Sequence, residues 1–271
     1  MKSAYSYKWE WYEDIVGNPQ AYKVEPFRIY GNLYFVGTKD SSGILVDTGE
    51  GLMLFDTGYP NMQEFLPESI EKLGFRVSEL KLIFHTHGHF DHFGATKLLK
   101  DQSGAKALMS AIDAQILRDR PELALAYYLP GIKTEFFTID KELEDGDVIR
   151  LGNTKVKCIL TPGHTPGAMS YEITVQGEDG EKKALLCGGT GLNTLNLEFM
   201  EKYGVNYRPD FERSIKLWKS MEPDIYLGNH TTQSDILKIH NEERSFFDKE
   251  ALRKYITKVE QNYYKMLSDE G

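Results

Sequence analysis

The stretch ELKLIFHTHGHFDHFGATKLLK, residues 79–100, holds four of the chain's seven histidines within HTHGHFDH, residues 85–92. The apolar run ELKLIF reads as a buried strand, and FGATKLLK as the start of a helix. A His-x-His-x-Asp-His phrase between a strand and a helix is hard to explain as core packing. Neutral imidazole and carboxylate are good ligands for Zn²⁺. His87 and His89 are two apart, so in extended backbone both rings point to one side and can grip one ion. Asp91 and His92 open the helix and can be aimed together at a second point a few Å away.

Two further loops carry histidines in the same kind of setting. TPGHTPG (161–167) brackets His164 with Pro and Gly on both sides, which predicts a rigid turn at a strand end. DIYLGNH (224–230) ends a buried strand at His230. Three strand ends would then present ligands at one edge of a sheet layer, where α/β proteins place their sites. His85 and His240 do not fit this pattern. The first reads as a packed, hydrogen-bonded histidine and the second, in KIHNEER, as a surface residue.

Around this centre, strands are predicted over 27–37, 42–48, 51–58, 79–87, 105–110, 147–152, 154–163, 167–176, 182–189 and 224–230. Helices are predicted over 61–74, 92–103, 111–119, 208–221 and 248–267, the last with Asp248 as a possible cap. Strands interleaved with helices argue for a layered α/β fold. The 271 residues show no linker or low-complexity tract and read as one domain, 1–271. Hydrophobic residues make up 41% and charged residues 27%, the balance of an ordinary globular chain.

With 32 Lys+Arg against 41 Asp+Glu, the net charge of −9 argues against nucleic acid or anionic membrane as a partner. A small-molecule substrate is expected instead, and oligomeric state is left open. No run nears the ~20 apolar residues of a membrane span. The opening MKSAYSYKWEWYED has no signal-peptide pattern. The expected compartment is therefore the cytoplasm, or the periplasm or medium if a leader had been removed. Cys158 and Cys187 sit in apolar runs and read as buried, reduced thiols. The alternating aromatics Tyr5, Tyr7, Trp9, Trp11 and Tyr12 read as cover for a core edge. ELALAYYLPG (122–131) could place Tyr127 or Tyr128 over the site.

LMLFDTG (52–58), HTHGHFDH (85–92), TPGHTPG (161–167) and GNH (228–230), in this order, make the chain resemble the metallo-β-lactamase superfamily over about residues 26–265. The phrase FVGTKDSSGILVDTGEGLMLFDTG (35–58) makes it most like class B β-lactamases of the third subclass. The resemblance implies a four-layer αββα sandwich with two zinc ions per chain. One would take His87, His89 and His164, and the other Asp91, His92 and His230. Asp91 would also act in catalysis by orienting the nucleophile. It implies a supporting role for Asp56, which holds a ligand or loop in place.

Hydrolysis of the β-lactam amide through a metal-bound hydroxide, hence antibiotic resistance, is the implied activity. Lactones, thioesters or other esters are the alternative substrates, and a metal site without turnover is the third reading. Many hydrolases of the superfamily carry an aspartate bridging the two metals. Here the phrase is LLCGGTGLN (185–193), with Gly189 or Thr190 in that place. An acid introduced at either position is expected to tighten metal binding. Thr190 and Asn193 are candidate contacts to substrate or water.

Overall fold

The computed structural model describes residues 14–271 apart from 16 and 127–130. The N-terminal aromatics Tyr5 to Tyr12, and Tyr127 and Tyr128, lie outside the described residues. Two β-sheets form the centre. The first has seven strands in sequence order: β1 (Phe27–Tyr30), β2 (Leu33–Phe35), β3 (Ile44–Asp47), β4 (Leu52–Phe55), β5 (Leu80–Phe84), β6 (Lys106–Ser110) and β7 (Lys141–Leu143). Strands β1 to β4 pair antiparallel, and β4 to β7 pair parallel through helical crossovers. The second sheet has the order β12-β11-β10-β9-β8, from β8 (Val148–Leu151), β9 (Thr154–Leu160), β10 (Met169–Gly177), β11 (Gly180–Leu186) and β12 (Ile225–Leu227).

The inner faces of the two sheets share one core. Phe35, Val46, Phe55 and Phe84 from the first sheet meet Val156, Tyr171, Ile173 and Leu186 from the second. Side chains alternate faces along a strand, so the intervening residues must be buried by another layer. Leu45, Leu54 and Ile83 pack outward against Leu66 and Ile70 of helix α1 (Phe65–Lys72) and Leu99 of the helix over Thr96–Ser103. Leu185 and Tyr226 pack outward against Phe211, Trp218, Ile256 and Tyr263, which belong to the helices Arg208–Lys219 and Ala251–Asp269. The result is the expected αββα order of layers.

Local differences from the sequence reading have physical causes. Residues 27–37 form a hairpin rather than one strand. Gly31 turns the chain at φ +47°, pressed so close to the second sheet that an added Cβ would lie 1.8 Å from the Gln176 carbonyl oxygen. The helix expected over 92–103 is a short turn of helix, Phe90–Phe93, then Thr96–Ser103. Gly94 lies between them because Pro60 passes 2.2 Å from where its Cβ would be. Strand β5 stops at Phe84, so His87 projects from a bend, while His89 is again extended, at φ −87° and ψ 148°, just before the helical turn. Glu250, not Asp248, sits at the start of the last helix, though the Asp248 carboxylate accepts the Glu250 N–H at 2.9 Å.

The short helix Leu197–Tyr203 and strand β7 carry too little apolar pattern to read in advance. Among the described residues no helix is long and apolar enough to cross a membrane.

Candidate active site

The site gathers loops that leave the carboxyl ends of β4, β5, β9, β11 and β12, where the edges of the two sheets meet. Backbone bonds stitch that edge together: Met169 N–H donates to Thr86 O at 2.8 Å, and Ser42 N–H to Asn229 O at 2.9 Å. The loops bring together two groups able to hold a metal ion, His87 with His89 and His164, and Asp91 with His92 and His230. All six residues picked out in the sequence are thereby placed at one centre.

In the first group, His87 Nε2 lies 3.1 Å from His89 Nδ1, which lies 3.0 Å from His164 Nε2. Nitrogens held ~2.0–2.1 Å from a common tetrahedral ion would stand about 3.3 Å apart. The spacing therefore suits one ion with little rearrangement. Burial, reinforced by neighbouring imidazoles, holds His87 and His89 well below the ordinary histidine pKa. Burial brings His164 down to about 3. Neutral rings are what a metal requires. The rings are also oriented: His164 Nδ1 donates to the Gly191 carbonyl at 3.0 Å, and His87 Nδ1 lies 3.1 Å from the Thr86 hydroxyl.

In the second group, Asp91 Oδ2 lies 3.6 Å from both His92 Nε2 and His230 Nε2. The far nitrogens of these rings are held by carboxylates. His92 Nδ1 donates to Asp56 Oδ2 at 2.8 Å, and His230 Nδ1 to Asp40 Oδ2 at 3.1 Å. With Nδ1 committed, His92 Nε2 is buried without a hydrogen-bond partner. A lone pair left bare in this way is costly unless something sits on it, and it faces the centre of the group. Burial alone would lower His230, but Asp40, with Asp91 and Asp56, raises it to about 9. A metal at this group therefore displaces a proton.

Asp56 serves both groups. Its Oδ1 accepts the Thr86 N–H at 2.7 Å, and its Oδ2 accepts the Thr86 hydroxyl at 2.7 Å besides His92. The Thr86 oxygen, its proton given to Asp56, is then free to accept from His87. Asp56 holds this place at φ +56°, a strained conformation for a residue other than glycine. The supporting role read from FDTG thus has a geometric basis.

His85 is buried and bonded on both nitrogens, to Leu108 O at 2.9 Å and Thr96 Oγ1 at 2.8 Å, as its reading required. His240 is exposed and stacks on Phe27. Cys158 and Cys187 are buried free thiols. Thr190 is buried, its hydroxyl 2.7 Å from Tyr255 Oη, while Asn193 is half-buried beside Gly191. At Gly189, one of the two positions considered for an added acid, a Cβ would lie 2.2 Å from His164 Cδ2, so any side chain there requires that ring to move. Asp40 was not singled out in the sequence, because a lone acid in GTKDSSG has no local signal; its role comes from a contact 190 residues away.

A fold of two sheets flanked by helices, with this donor set at the sheet edge, defines a class of metal-site proteins. The model of the metallo-beta-lactamase superfamily matches residues 36–227, and the chain belongs to that superfamily. Among solved structures, BJP-1, a subclass B3 metallo-beta-lactamase of Bradyrhizobium japonicum, is similar at TM-score 0.81 and 25% identity, over 94% of this chain and 97% of that one. FEZ-1 from Legionella gormanii is similar at TM-score 0.81 and 28% identity, over 92% and 97%.

The hydroxyacylglutathione hydrolase of Maricaulis maris is 33% identical over 141 residues, 51% of this chain and 45% of the relative. That of Chelativorans sp. is 28% identical over 201 residues, 74% of this chain and 67% of the relative. The chain spans half or less of the length of several curated relatives it matches.

Proposed function

We propose that residues 1–271 form one zinc-dependent hydrolase domain that cleaves the amide of β-lactams. The observation that carries the metal reading is the bare, buried Nε2 of His92, aimed between Asp91 and His230 beside three converging neutral imidazoles. His87, His89 and His164 would hold one zinc, and Asp91, His92 and His230 the other. When bound, zinc supplies Lewis acidity to a carbonyl oxygen and lowers the pKa of water toward ~7.

The protein's own groups do the positioning. Burial keeps His87, His89 and His164 unprotonated. Asp56, Asp40 and the Gly191 carbonyl fix which nitrogen of His92, His230 and His164 faces the centre. Asp91 Oδ2, 3.6 Å from two imidazole nitrogens, can accept a hydrogen bond from an attacking water and orient it. Three donors per ion leave positions open for water and substrate, which favours turnover over a closed structural site.

Two observations support a β-lactam. The likeness to subclass B3 enzymes runs nearly end to end. A bridging carboxylate is also absent from both candidate positions, Gly189 and Thr190, and a side chain at Gly189 would run into His164. The second reading, a thioester or other ester, draws on the hydroxyacylglutathione hydrolases among the relatives. The test is a panel on the zinc-loaded protein: a chromogenic cephalosporin, a lactone and a glutathione thioester. We expect the cephalosporin to be turned over fastest. Faster turnover of the thioester or lactone favours the second reading. Two bound zinc ions with no turnover on any substrate would overturn both.

A further inference from the structure

Asp113 is buried, and its carboxylate ties two separate loops together. It is the third residue of the helix Ala111–Asp119, and its N–H is accepted by Ser110 Oγ at 3.1 Å. The spacing Ser-x-x-Asp ordinarily makes a reciprocal cap, with the acid turned back onto the start of its own helix. Here the acid turns away. Its Oδ2 accepts the Gly88 N–H at 2.8 Å and the Thr165 hydroxyl at 2.7 Å. Its Oδ1 accepts the Gly167 N–H at 2.8 Å.

Gly88 lies between His87 and His89, and Thr165 follows His164. One carboxylate thus fastens the loop bearing two imidazoles of the first group to the loop bearing the third. Gly167 is part of the same fit, since a Cβ there would lie 2.5 Å from Asp113 Oδ1 and 2.3 Å from Ser110 Oγ. Asp113 also lines, with His89, His164 and Thr165, a small cleft. Among the described residues no Lys or Arg forms an ion pair with it. The second group has carboxylates directly on two of its ligands. On the first group, the partners outside the group seen on ligand nitrogens are uncharged: the Thr86 hydroxyl, the Gly191 carbonyl and, at 3.5 Å, the Asn229 side-chain amide.

We propose that Asp113 is a positioning residue for the three-histidine group. It sets the spacing of His87, His89 and His164 by clamping both loops, and places a buried negative charge near an ion held by three neutral ligands. This rests on the metal-site reading proposed above. The test is Asp113→Asn, nearly isosteric but with an amide N–H₂ facing donors. It is read by zinc competition titration of both sites and by the Tm of the metal-free protein.

We expect the three-histidine site to weaken by about 10–100-fold, as for outer-shell partners elsewhere. The Asp91–His92–His230 site should weaken by clearly less, because the groups Asp113 holds, Gly88, Thr165 and Gly167, adjoin only the three histidines of the first group. Should Asp113→Asn fail to fold, Thr165→Val keeps the carboxylate and removes one donor. It should weaken the same site by a smaller factor. A lower Tm with both affinities unchanged, or an equal loss at both sites, would overturn the proposal and leave Asp113 a structural residue. Wild-type protein that binds no zinc would instead overturn the metal reading itself.

Discussion

The two groups of the site are built on opposite principles. The first uses three deeply buried neutral imidazoles, 3.0–3.1 Å apart along the chain of nitrogens. The second is charged and less deeply buried, with Asp91 and His230 half-buried around a buried His92: Asp91 is among its donors, and Asp40 and Asp56 stand behind its histidines. Neutral, desolvated ligands need no proton removed and favour a metal by shape. Charged ligands favour it by Coulomb attraction but must surrender a proton from His230. The comparison teaches that damage to loop geometry should fall on the first group, and damage to charge on the second.

The largest effect is expected from His164→Ala. It removes a ligand of the first group, while the core between the sheets does not depend on that ring. Turnover should fall by orders of magnitude with the circular-dichroism spectrum unchanged; retained turnover would dissolve the distinction between the groups. Asp56→Asn comes next. Asn tolerates the positive φ of that position, so the backbone should hold. An amide cannot accept from Thr86 and His92 as a carboxylate does. Zinc affinity should drop about 10–100-fold, and at both groups, because Asp56 reaches each. A loss confined to one group would show that Thr86 does not transmit its influence.

Gly189→Ala sharpens the contrast. Its methyl would lie 2.2 Å from the His164 ring, so that ring must move; a displacement of about 1 Å should weaken the first group alone, by about 10-fold or more. Asp40→Asn is the mirror case and should be the smallest, a few-fold weakening of the second group alone. Part of the lost charge is offset by easier deprotonation of His230. Competition titration with a chromophoric chelator measures both.

What could be read in advance follows the same division. HTHGHFDH, FDTG and TPGHTPG were legible because ligand chemistry and Gly/Pro turns are local, and alternating apolar strands announce a layered fold. Asp40, Thr86 and Gly189 were not legible in these roles, since each acts through a partner far along the chain: His230, Asp56 and His164. Asp113 was hidden differently, behind a spacing that ordinarily means no more than a helix cap. The break at Gly31 was missed because its cause, the Gln176 carbonyl, belongs to the other sheet. Even Asp56, recognisable in its motif, showed nothing in sequence of its reach to both groups.

The central claim is that these six residues form two separable metal positions. Metal content after exhaustive dialysis against trace zinc, measured on wild type, His164→Ala and His230→Ala, tests it most directly. The account predicts about two zinc per wild-type chain and about one in each variant. The ion retained by His230→Ala should sit on three histidines, and the ion retained by His164→Ala on Asp91, His92 and His230. Two zinc in either variant, or none in wild type, would contradict it.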